Sequence, residues 1–378
     1  MSSEIRTATL KPREERRLQR GHLWAYRTEF DKLPELEDGE LVDVYTGHRR
    51  FVGRGFYQAQ GGIAVRLLAR RQDAIGADFF RERIGAARAL RERLFPGAQA
   101  YRWVFGESDG LPGLVADRFG GTVTVQSSCA FYRPWMDAIA GAFLSNEGVT
   151  GVRVQVAYDV VTQGEIPETL AFELEGMQVR LRLEGAQKTG MFLDQRLNRL
   201  ATAPFAPGAR VFDGHCHLGL WACHAARAGA REIIAADSAE AAIALARENA
   251  EANGLADAID FRHGDVEAVL EAEEPFDLVI IDPPAFAKSR GLAKKAANRY
   301  LALNQAAIRA TRPGGLLFTS SCSHFVPPAD FLDILKRAAA AEKRSAQLLE
   351  LRGASPDHPV LLSMPETNYL KCAVLHIA

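Results

Sequence analysis

Residues 211–237 read VFDGHCHLGLWACHAARAGAREIIAAD, and this stretch decides the fold of the C-terminal half of the chain. A short apolar run ends at Asp213, apolar residues then recur at helical spacing, and the run EIIAAD ends at Asp237. A strand, a helix and a second strand in this order predict neighbouring parallel strands with a helix packed against them.

The same alternation of buried-type strands and helices continues to the end of the chain. AIDFRHGD, FDLVIID and GGLLFTSS are typical of strands, and two more strands are expected near residues 348 and 370. Helices are expected over AEAAIALARENAEAN, over residues 293–311 and from residue 328. Residues 187–378 therefore predict an α/β domain with a mostly parallel sheet, helices on both faces and ligands at the carboxyl ends of its strands.

The residues before position 187 show two other patterns of apolar and polar residues. Residues 1–72 contain short alternating strands, GELVDVYT, RFVGRGFYQ and GIAVRLLAR, which predict a small β domain. Residues 73–186 mix the helical patterns DFFRERIGAARALRERLF and PWMDAIAGAFLSNEG with short strands, which predicts a central α+β domain. A chain of 378 residues exceeds what one hydrophobic core usually organises, so two or three domains are expected.

Composition narrows the class of protein. The chain is 47% hydrophobic and 25% charged, as in ordinary globular proteins, and its formal net charge of −1 argues against a strongly basic, unspecific nucleic-acid binder. Its five cysteines lie far apart, which favours free thiols in a reducing compartment. The polar N-terminus and the lack of a long apolar run predict a cytoplasmic protein without a signal peptide or membrane anchor.

Acidic residues end successive strands of the C-terminal domain. Asp237 is placed to accept hydrogen bonds from ribose hydroxyls, and Asp265, after FRHG, to receive an adenine amino group. Asp213 and Asp282 end two further strands. Each acid could instead cap a helix, but several together predict a nucleoside cofactor.

The turn after the first strand favours one cofactor class. DGHCHLGLW lacks the GxGxxG pattern of a dinucleotide site. Asp213 and Gly219, followed by the later aspartates and by DPP, resemble the S-adenosylmethionine site of a class I methyltransferase. Gly219 would let the backbone approach the methionine part of that cofactor.

Seven stretches spread over most of the chain carry a more specific resemblance: LKPREERRLQRGHLWAY, DGLPGLVADRFG, QKTGMFLDQR, the VFD turn, NAEANGL, DLVIIDPPAFAKS and SCSHFV. With them the chain resembles the ribosomal RNA large subunit methyltransferase I family, bacterial 23S rRNA 5-methylcytosine methyltransferases. The resemblance implies an RNA-binding PUA domain over 1–72, a central domain over 73–186 and a Rossmann-like methyltransferase domain over 187–378. It also implies S-adenosylmethionine as cofactor and 23S rRNA, naked or in a large-subunit precursor, as partner; a homodimer stays open.

Cys322 is the predicted nucleophile. Carbon 5 of cytosine is too weak a nucleophile to take a methyl group directly, so a thiolate first adds to carbon 6. Cys322 lies in a polar SCS turn after a strand, where backbone N–H groups could lower the pKa of a thiol. The alternative interpretation is a buried core thiol.

The DPP motif would surround the base. Asp282 is expected to hydrogen-bond the cytosine amino group or N3 and to act in acid/base catalysis. Pro283 and Pro284 would stiffen the loop, and Phe286 could stack on a flipped base. Loop capping by Asp282 and core packing of Phe286 are the alternatives. The proton on carbon 5 has no assigned base, and His324 is better read as a solvated loop residue.

Two further sets of residues complete the expected site. The resemblance places QKTGMFLDQR over the cofactor, with Asp194 near the methionine amine, although an interdomain turn is the alternative. The cofactor set is Asp213, Gly219, Asp237, Ser238, Asp265, Asp282, Lys188, Asp194 and Arg196. For RNA, the N-terminal segment offers charges for phosphates next to His22, Trp24 and Tyr26, unless it is simply a solvated face. These charges are Lys11, Arg13, Arg16, Arg17 and Arg20.

The histidines and cysteines of residues 211–230 invite two other interpretations: these are His215, Cys216, His217, Cys223 and His224. Their HxH and CH spacings match no usual zinc pattern, so no metal site is predicted. Cys216 would lie beneath the cofactor, which disfavours it as nucleophile. Leu218 and Leu220 stand where the family usually has a threonine and a second glycine, which predicts weakened cofactor binding.

Two other functions stay open from the sequence. An RNA amino-group methyltransferase would use the acidic DPP motif and would need no cysteine. A noncatalytic RNA-binding or ribosome-assembly factor could keep the fold after its altered turn had stopped holding the cofactor.

Overall fold

The structure is a computed structural model that describes residues 5–183, 189–287 and 289–378. The chain divides into two compact units, and each is described by itself. The first unit consists of Met1–Leu174, Arg182–Met191 and Pro356–Thr367. The second consists of Glu175–Leu181, Phe192–Ser355 and Asn368–Ala378.

The first unit begins with a six-stranded sheet in the order β2-β6-β5-β4-β1-β3. Alternating apolar residues such as Val42, Val44, Val65 and Leu67 form its core, which confirms the predicted small β domain. Its elements are β1 Arg6–Leu10, α1 Glu15–Gln19, β2 Trp24–Tyr26, β3 Phe30–Lys32, β4 Leu41–Tyr45, β5 Phe51–Tyr57 and β6 Ile63–Ala69.

A second sheet of the first unit has the order β11-β10-β9-β8-β7, with two helices packed against it. Phe80 and Ile84, from the helix Ala77–Leu94, pack with Trp103 and Phe143 in one hydrophobic core. The Trp103 indole N–H donates to the Ile84 carbonyl at 3.0 Å. The elements are α2 Ala77–Leu94, β7 Ala100–Phe105, β8 Leu114–Phe119, β9 Thr122–Ser127, α3 Met136–Leu144, β10 Gly151–Val156, β11 Asp159–Gly164 and β12 Thr169–Leu174.

Two later segments join this unit through buried polar contacts. Asp117 accepts hydrogen bonds from the Arg102 guanidinium and from the Thr189 hydroxyl. The Asp357 carboxylate accepts the Arg102 backbone N–H at 2.9 Å, and its carbonyl accepts Arg91 at 2.8 Å. Thr189 and Asp357 are therefore fixed to the central sheet by side chains far from them in sequence.

The second unit has a seven-stranded sheet in the order β16-β15-β14-β17-β18-β20-β19. β14 to β18 are parallel, and β20 is antiparallel to both of its neighbours. The elements are β13 Met177–Arg182, α4 Arg196–Leu200, β14 Arg210–Gly214, α5 Leu220–Arg227, β15 Glu232–Asp237, α6 Glu240–Ala252, β16 Asp260–His263, α7 Val266–Glu271, β17 Phe276–Ile281, α8 Ala293–Ala310, β18 Thr311–Ser321, α9 Pro328–Ala341, β19 Ala346–Arg352 and β20 Lys371–Ile377.

The predicted α/β alternation is confirmed, with two differences of detail. Helix α7 follows Asp265, which caps it, although the sequence had suggested no helix there. β18 begins at Thr311 directly after α8, because Phe276 pairs with Thr311 and the register then shifts so that Leu278 pairs with Leu316. The helix predicted over 293–311 thus ends at Ala310, and the strand predicted from GGLLFTSS begins earlier, with Arg312 and Pro313 in its irregular first part.

The order of the sheet fixes where a ligand binds. From β14 the chain moves outward through β15 to β16 and then returns to β17 on the other side of β14. The crevice at such a reversal opens at the carboxyl ends of the two strands, where Gly214 and Asp282 lie.

The predicted domain boundaries at 72 and 186 stay predictions. The first falls between β6 and α2 in the described residues, and the second falls in 184–188, outside them. In the described part of the chain, no helix is long and apolar enough to cross a membrane.

Candidate active site

The turn after β14, residues 213–219, is called the cofactor turn here. Its backbone is left-handed at His215 (φ 63°), His217 (φ 48°) and Gly219 (φ 72°). The Cys216 N–H donates to the Ala236 carbonyl at 3.1 Å, and the Gly219 N–H donates to Cys216 at 2.7 Å. Because histidine enters this region more readily than most residues, two histidines form a turn for which glycines would be the usual choice.

Gly219 is required at the end of this turn. A Cβ there would lie 3.0 Å from the Ala246 Cβ and 3.1 Å from a ring carbon of Phe261. The small residue thus lets the turn pack against α6 and β16. The expected approach of its backbone to the cofactor stays a prediction.

Asp213 is fully buried and organises the turn from below. One carboxylate oxygen accepts the Ala222 backbone N–H at 3.0 Å, and the other has no partner in the described residues. Burial raises the pKa of Asp213 to about 8, and the charges of Asp282 and Asp237 act in the same direction. At neutral pH this carboxyl is therefore largely protonated.

Asp237 joins the ends of β14 and β15. Its two oxygens accept the backbone N–H groups of His217 at 3.0 Å and Ala239 at 2.9 Å. Each oxygen has a second lone pair, so the partly exposed carboxylate can still accept ribose hydroxyls. The neighbouring Ser238 is exposed, and its carbonyl lies 3.1 Å from His263 Nε2.

Asp265 caps α7, accepting the Ala268 N–H at 3.0 Å. The structure therefore shows the capping contact that the sequence had left as an alternative. The side chain is exposed and its second oxygen is not used by this cap. An adenine contact by that oxygen stays a prediction.

Asp194 provides the observation that tests the fit of the cofactor. The side chain is 5% exposed, and one oxygen accepts the Tyr369 hydroxyl. The other oxygen is buried and accepts no hydrogen bond from the described residues. Buried carboxylate oxygens are normally paired, so this one fits the ammonium group of a methionine moiety.

Arg196 contacts a different partner. Its Nε donates to Glu175 at 2.6 Å, and Arg199 contacts the other Glu175 oxygen at 3.4 Å. Burial opposes ionisation of Glu175, but the nearby His224, with Nε2 at 3.8 Å, and the two arginines hold its pKa at about 2. This cluster fixes α4 and α5 together, so a cofactor contact by Arg196 stays a prediction. Lys188 lies outside the described residues.

Asp282 follows β17 and is held by two side chains that the sequence reasoning missed. Gln195 Nε2 donates to one oxygen at 2.7 Å, and the Trp221 indole N–H lies 3.4 Å from the other. Gln195 is itself fixed, because it donates to Ser320 at 3.0 Å and accepts from Asn198 at 2.7 Å. Burial, together with the Asp194 charge, raises the pKa of Asp282 to about 6.

The turn after β18, residues 321–323, is called the thiol turn here. The Cys322 sulfur lies 4.0 Å from the Pro283 carbonyl. The Ser323 hydroxyl lies 3.0 Å from the Tyr300 hydroxyl, and the Ser323 carbonyl accepts a hydrogen bond from Lys371 Nζ at 2.8 Å. The structure thus brings Cys322 and the DPP loop together, as the sequence predicted for a shared site.

Cys322 differs from the other four cysteines, all of which the structure describes. Cys129, Cys216, Cys223 and Cys372 are buried, whereas Cys322 is partly exposed. Burial raises the pKa of Cys129, raises the pKa of Cys216 well above its ordinary value, and raises the pKa of Cys223 and Cys372 to about 12. These four therefore stay protonated and inert.

The remaining predicted substrate residues have mixed surroundings. Phe286 packs on Tyr300, with ring centres 4.7 Å apart, and also meets the core, as in the alternative interpretation. Pro283 is buried and Pro284 is exposed. His324 stacks on Tyr369 with ring centres 5.2 Å apart. In the described ranges, no three His, Cys, Asp or Glu side chains are grouped to hold a metal ion.

The basic N-terminal residues divide into two kinds. The exposed ones are Lys11, Arg13, Arg16 and Arg20. Arg17 instead donates to Glu29 at 2.7 Å and to the Trp24 carbonyl at 2.9 Å, with its guanidinium over the Tyr26 ring. Arg17 therefore holds the local structure, while the exposed residues keep their charges in solvent.

Two family models match the chain. A PUA-like domain model matches residues 8–70, and an S-adenosylmethionine-dependent methyltransferase model matches residues 150–367. Two solved methyltransferase structures share the fold at 21% identity over 98% of this chain and 100% of theirs. One, from Streptococcus mutans, has a TM-score of 0.87, and the other, which is complexed with SAH, has a TM-score of 0.88.

Curated relatives match over nearly the whole length. "Ribosomal RNA large subunit methyltransferase I" of Shewanella denitrificans is 32% identical, over 97% of this chain and 98% of its own. The protein of the same name from Photobacterium profundum is 33% identical, over 94% and 96%. With a PUA-like domain, a methyltransferase domain and S-adenosylmethionine as cofactor, this chain belongs to the ribosomal RNA large subunit methyltransferase I family.

Proposed function

We propose that the protein methylates carbon 5 of a cytosine in 23S rRNA, with Cys322 as the nucleophile. The observation that carries this proposal is the placement of Cys322. Among five cysteines it alone is partly exposed, and its sulfur is 4.0 Å from the loop that contains Asp282. The names of the relatives support large-subunit rRNA as the substrate. The choice of cytosine as the target base rests on the covalent chemistry that a thiol near a carboxyl group can perform.

Cys322 supplies the covalent step. Its thiolate forms a bond to carbon 6 of the cytosine, and the electron pair of the C5–C6 double bond moves to make carbon 5 nucleophilic. S-adenosylmethionine, when bound, supplies an electrophilic methyl group. After carbon 5 has been methylated, water or a nearby base takes its proton, the electron pair of that C–H bond re-forms the C5–C6 double bond, and the C6–S bond breaks to release the thiolate.

Asp282 assists the addition by donating a proton to N3 of the cytosine as the thiolate attacks. A carboxyl group with a pKa of about 6 changes protonation easily near neutral pH, which suits an acid/base residue. Gln195 and Trp221 fix its two oxygens, so the carboxyl has a defined direction before the base arrives. Pro283 and Pro284 stiffen this loop, and Phe286 offers an aromatic edge beside it.

The cofactor would be held by the carboxylates at the strand ends. The oxygen of Asp194 that has no partner in the described residues would accept a hydrogen bond from the methionine ammonium, Asp237 would accept hydrogen bonds from the ribose hydroxyls, and Asp265 and Ser238 would contact the adenine. Asp213 and Gly219 shape the turn beneath it. On the first unit, Lys11, Arg13 and Arg20 contact phosphates of the RNA, and Arg17 keeps their segment folded.

Transfer of labelled methyl groups to 23S rRNA that lacks its own modifications tests the reaction. We expect 5-methylcytidine as the labelled nucleoside from the wild type and from Cys129→Ala, a matched control for a buried thiol. Cys322→Ala should give no product. N-methylated adenosine or guanosine as the sole product, or full activity of Cys322→Ala, would contradict the proposal.

A second experiment traps the intermediate. RNA containing 5-fluorocytosine should form a covalent complex with the wild type and with Cys129→Ala, because fluorine cannot leave as a proton does. The complex of the wild type and of Cys129→Ala should resist denaturation in gels. No such complex should form with Cys322→Ala. A cysteine-independent complex would point to another nucleophile.

A further inference from the structure

Lys371 is a buried cation that has no role in the reaction proposed above. Lys371 is 3% exposed and is the first residue of β20, where it pairs in register with Ser321 of β18. Nζ donates to the carbonyls of Ser323 and Tyr369, both at 2.8 Å. The lysine therefore contacts the thiol turn on both sides of Cys322, through the backbone of the preceding residue and the carbonyl of the following one.

No carboxylate compensates this charge in the described part of the chain. Both acceptors of Lys371 Nζ are neutral carbonyls, and an ammonium group has a third N–H to donate. Burial lowers the pKa of Lys371 to about 8, whereas a negative charge on Cys322 acts in the opposite direction. Buried charges are normally paired, so an anion on the thiol turn would complete this arrangement.

The charged and titratable groups around Cys322 come from several elements. Asp282 precedes Pro283, whose carbonyl the sulfur approaches, and Tyr300 of α8 is influenced by the Cys322 charge. His324 follows the turn and stacks on Tyr369. An ionised Asp282 opposes a thiolate, so a nearby cation is needed to favour one.

We propose that the Lys371 ammonium is the counter-charge that keeps Cys322 in its thiolate form. The inference rests on the proposed function, because it deepens the role of the same thiol. Lys371 acts through Cys322, which makes it a positioning residue, and it needs no contact with the RNA. Loss of its charge should therefore change the ionisation of the thiol.

The test follows alkylation of Cys322 by iodoacetamide against pH in the full chain, read by peptide mass spectrometry. The wild-type thiol should titrate below the free value of about 8.5. Lys371→Met should raise its pKa by about one unit or more, which slows alkylation at pH 7 about 10-fold. Methyl transfer at pH 7 should fall by a similar factor and recover partly at pH 9, as a purely structural loss would not. Lys336→Met, an exposed lysine of α9, should change neither rate.

Two more variants cover a failure of Lys371→Met to fold. Lys371→Gln keeps a donor without the charge and should match Lys371→Met, while Lys371→Arg keeps the charge and should leave the thiol pKa low. An unchanged thiol pKa in a folded neutral variant overturns the inference. So does a wild-type thiol that titrates at 8.5 or higher, whatever the variants do.

The outcome also separates the inference from the proposed function. If alkylation depends on Lys371 but Cys322→Ala still methylates, the reaction has been assigned wrongly and the pairing stands. If Cys322→Ala is inactive and alkylation ignores Lys371, the reaction stands and the pairing is wrong.

Discussion

The cofactor turn after β14 and the thiol turn after β18 both place a cysteine at the carboxyl edge of the same sheet, yet their surroundings differ. Cys216 is buried, and its N–H donates to the Ala236 carbonyl; this burial, together with the charge of Asp237, raises the pKa of the thiol and disfavours a thiolate. Cys322 is partly exposed, and the carbonyl of the next residue, Ser323, accepts a hydrogen bond from the buried Lys371. The chemistry of a cysteine thus depends on charge and access and not on its place at a strand end.

The largest difference should appear between the two aspartates of these strand ends. Asp282→Asn should lower methyl transfer about 1000-fold, since an amide cannot exchange a proton with the base. Asp213→Asn should lower it less than about 10-fold, because asparagine imitates a carboxyl that is already protonated. Steady-state rates at saturating RNA and cofactor check this, and equal losses would remove the distinction.

The pH dependence of stability should identify Asp213. Its folded pKa of about 8 lies above the ordinary value of 3.8, so the folded state holds a proton that the unfolded chain releases. The stabilisation is complete below about pH 4 and is lost as pH rises towards 8, by a few kcal/mol at most. Thermal unfolding midpoints should fall less from pH 5 to 8 in Asp213→Asn than in the wild type. Parallel falls would mean that Asp213 is ionised in the fold.

Thiol labelling should separate the two turns directly. In the folded protein, Cys322 should react with iodoacetamide about 100-fold faster than Cys216, because only the exposed thiol is accessible as a thiolate. Peptide mass spectrometry reports both rates in one sample, and urea should remove the difference. Comparable rates before unfolding would show that the cofactor turn opens readily.

Gly219→Ala should destabilise the cofactor turn by about 2 kcal/mol, because the new Cβ combines a left-handed backbone with contacts at 3.0 Å. Gly208→Ala is the matched control: φ is 69° there, and nothing lies within 4 Å of an added Cβ. The control should lose only the conformational part. Chemical unfolding measures both, and equal losses would deny the packing role of Gly219.

The smallest effect is expected at the histidines of the cofactor turn. His215→Gly relieves a φ of 63° and removes a buried Nε2 that has no hydrogen-bond partner among the described residues, so stability should rise by less than about 1 kcal/mol. His217→Gly also relieves a positive φ but loses the ring contact with Phe192, so it should bring no gain. A gain from both variants would show that the ring contact is worth little.

Much of this arrangement could be predicted locally. Apolar runs of β14, β15 and β17 end at Asp213, Asp237 and Asp282, and each run predicts its own strand without reference to the others. The two left-handed histidines could not be predicted, because spacing indicates that a turn exists and not which residue takes a positive φ. The irregular start of β18 was missed for a similar reason, since its pairing depends on Phe276.

By itself, the sequence determined the order of strands and helices, the acidic strand ends and the candidate thiol, because burial imposes a period of two or about 3.6 residues on a local stretch. The tertiary structure alone decided the partners of these groups. Gln195 reaches Asp282 across 87 positions and Lys371 reaches Ser323 across 48. Such donors meet their acceptors only when distant strands pair, as Ser321 does with Lys371, and no local pattern records that pairing.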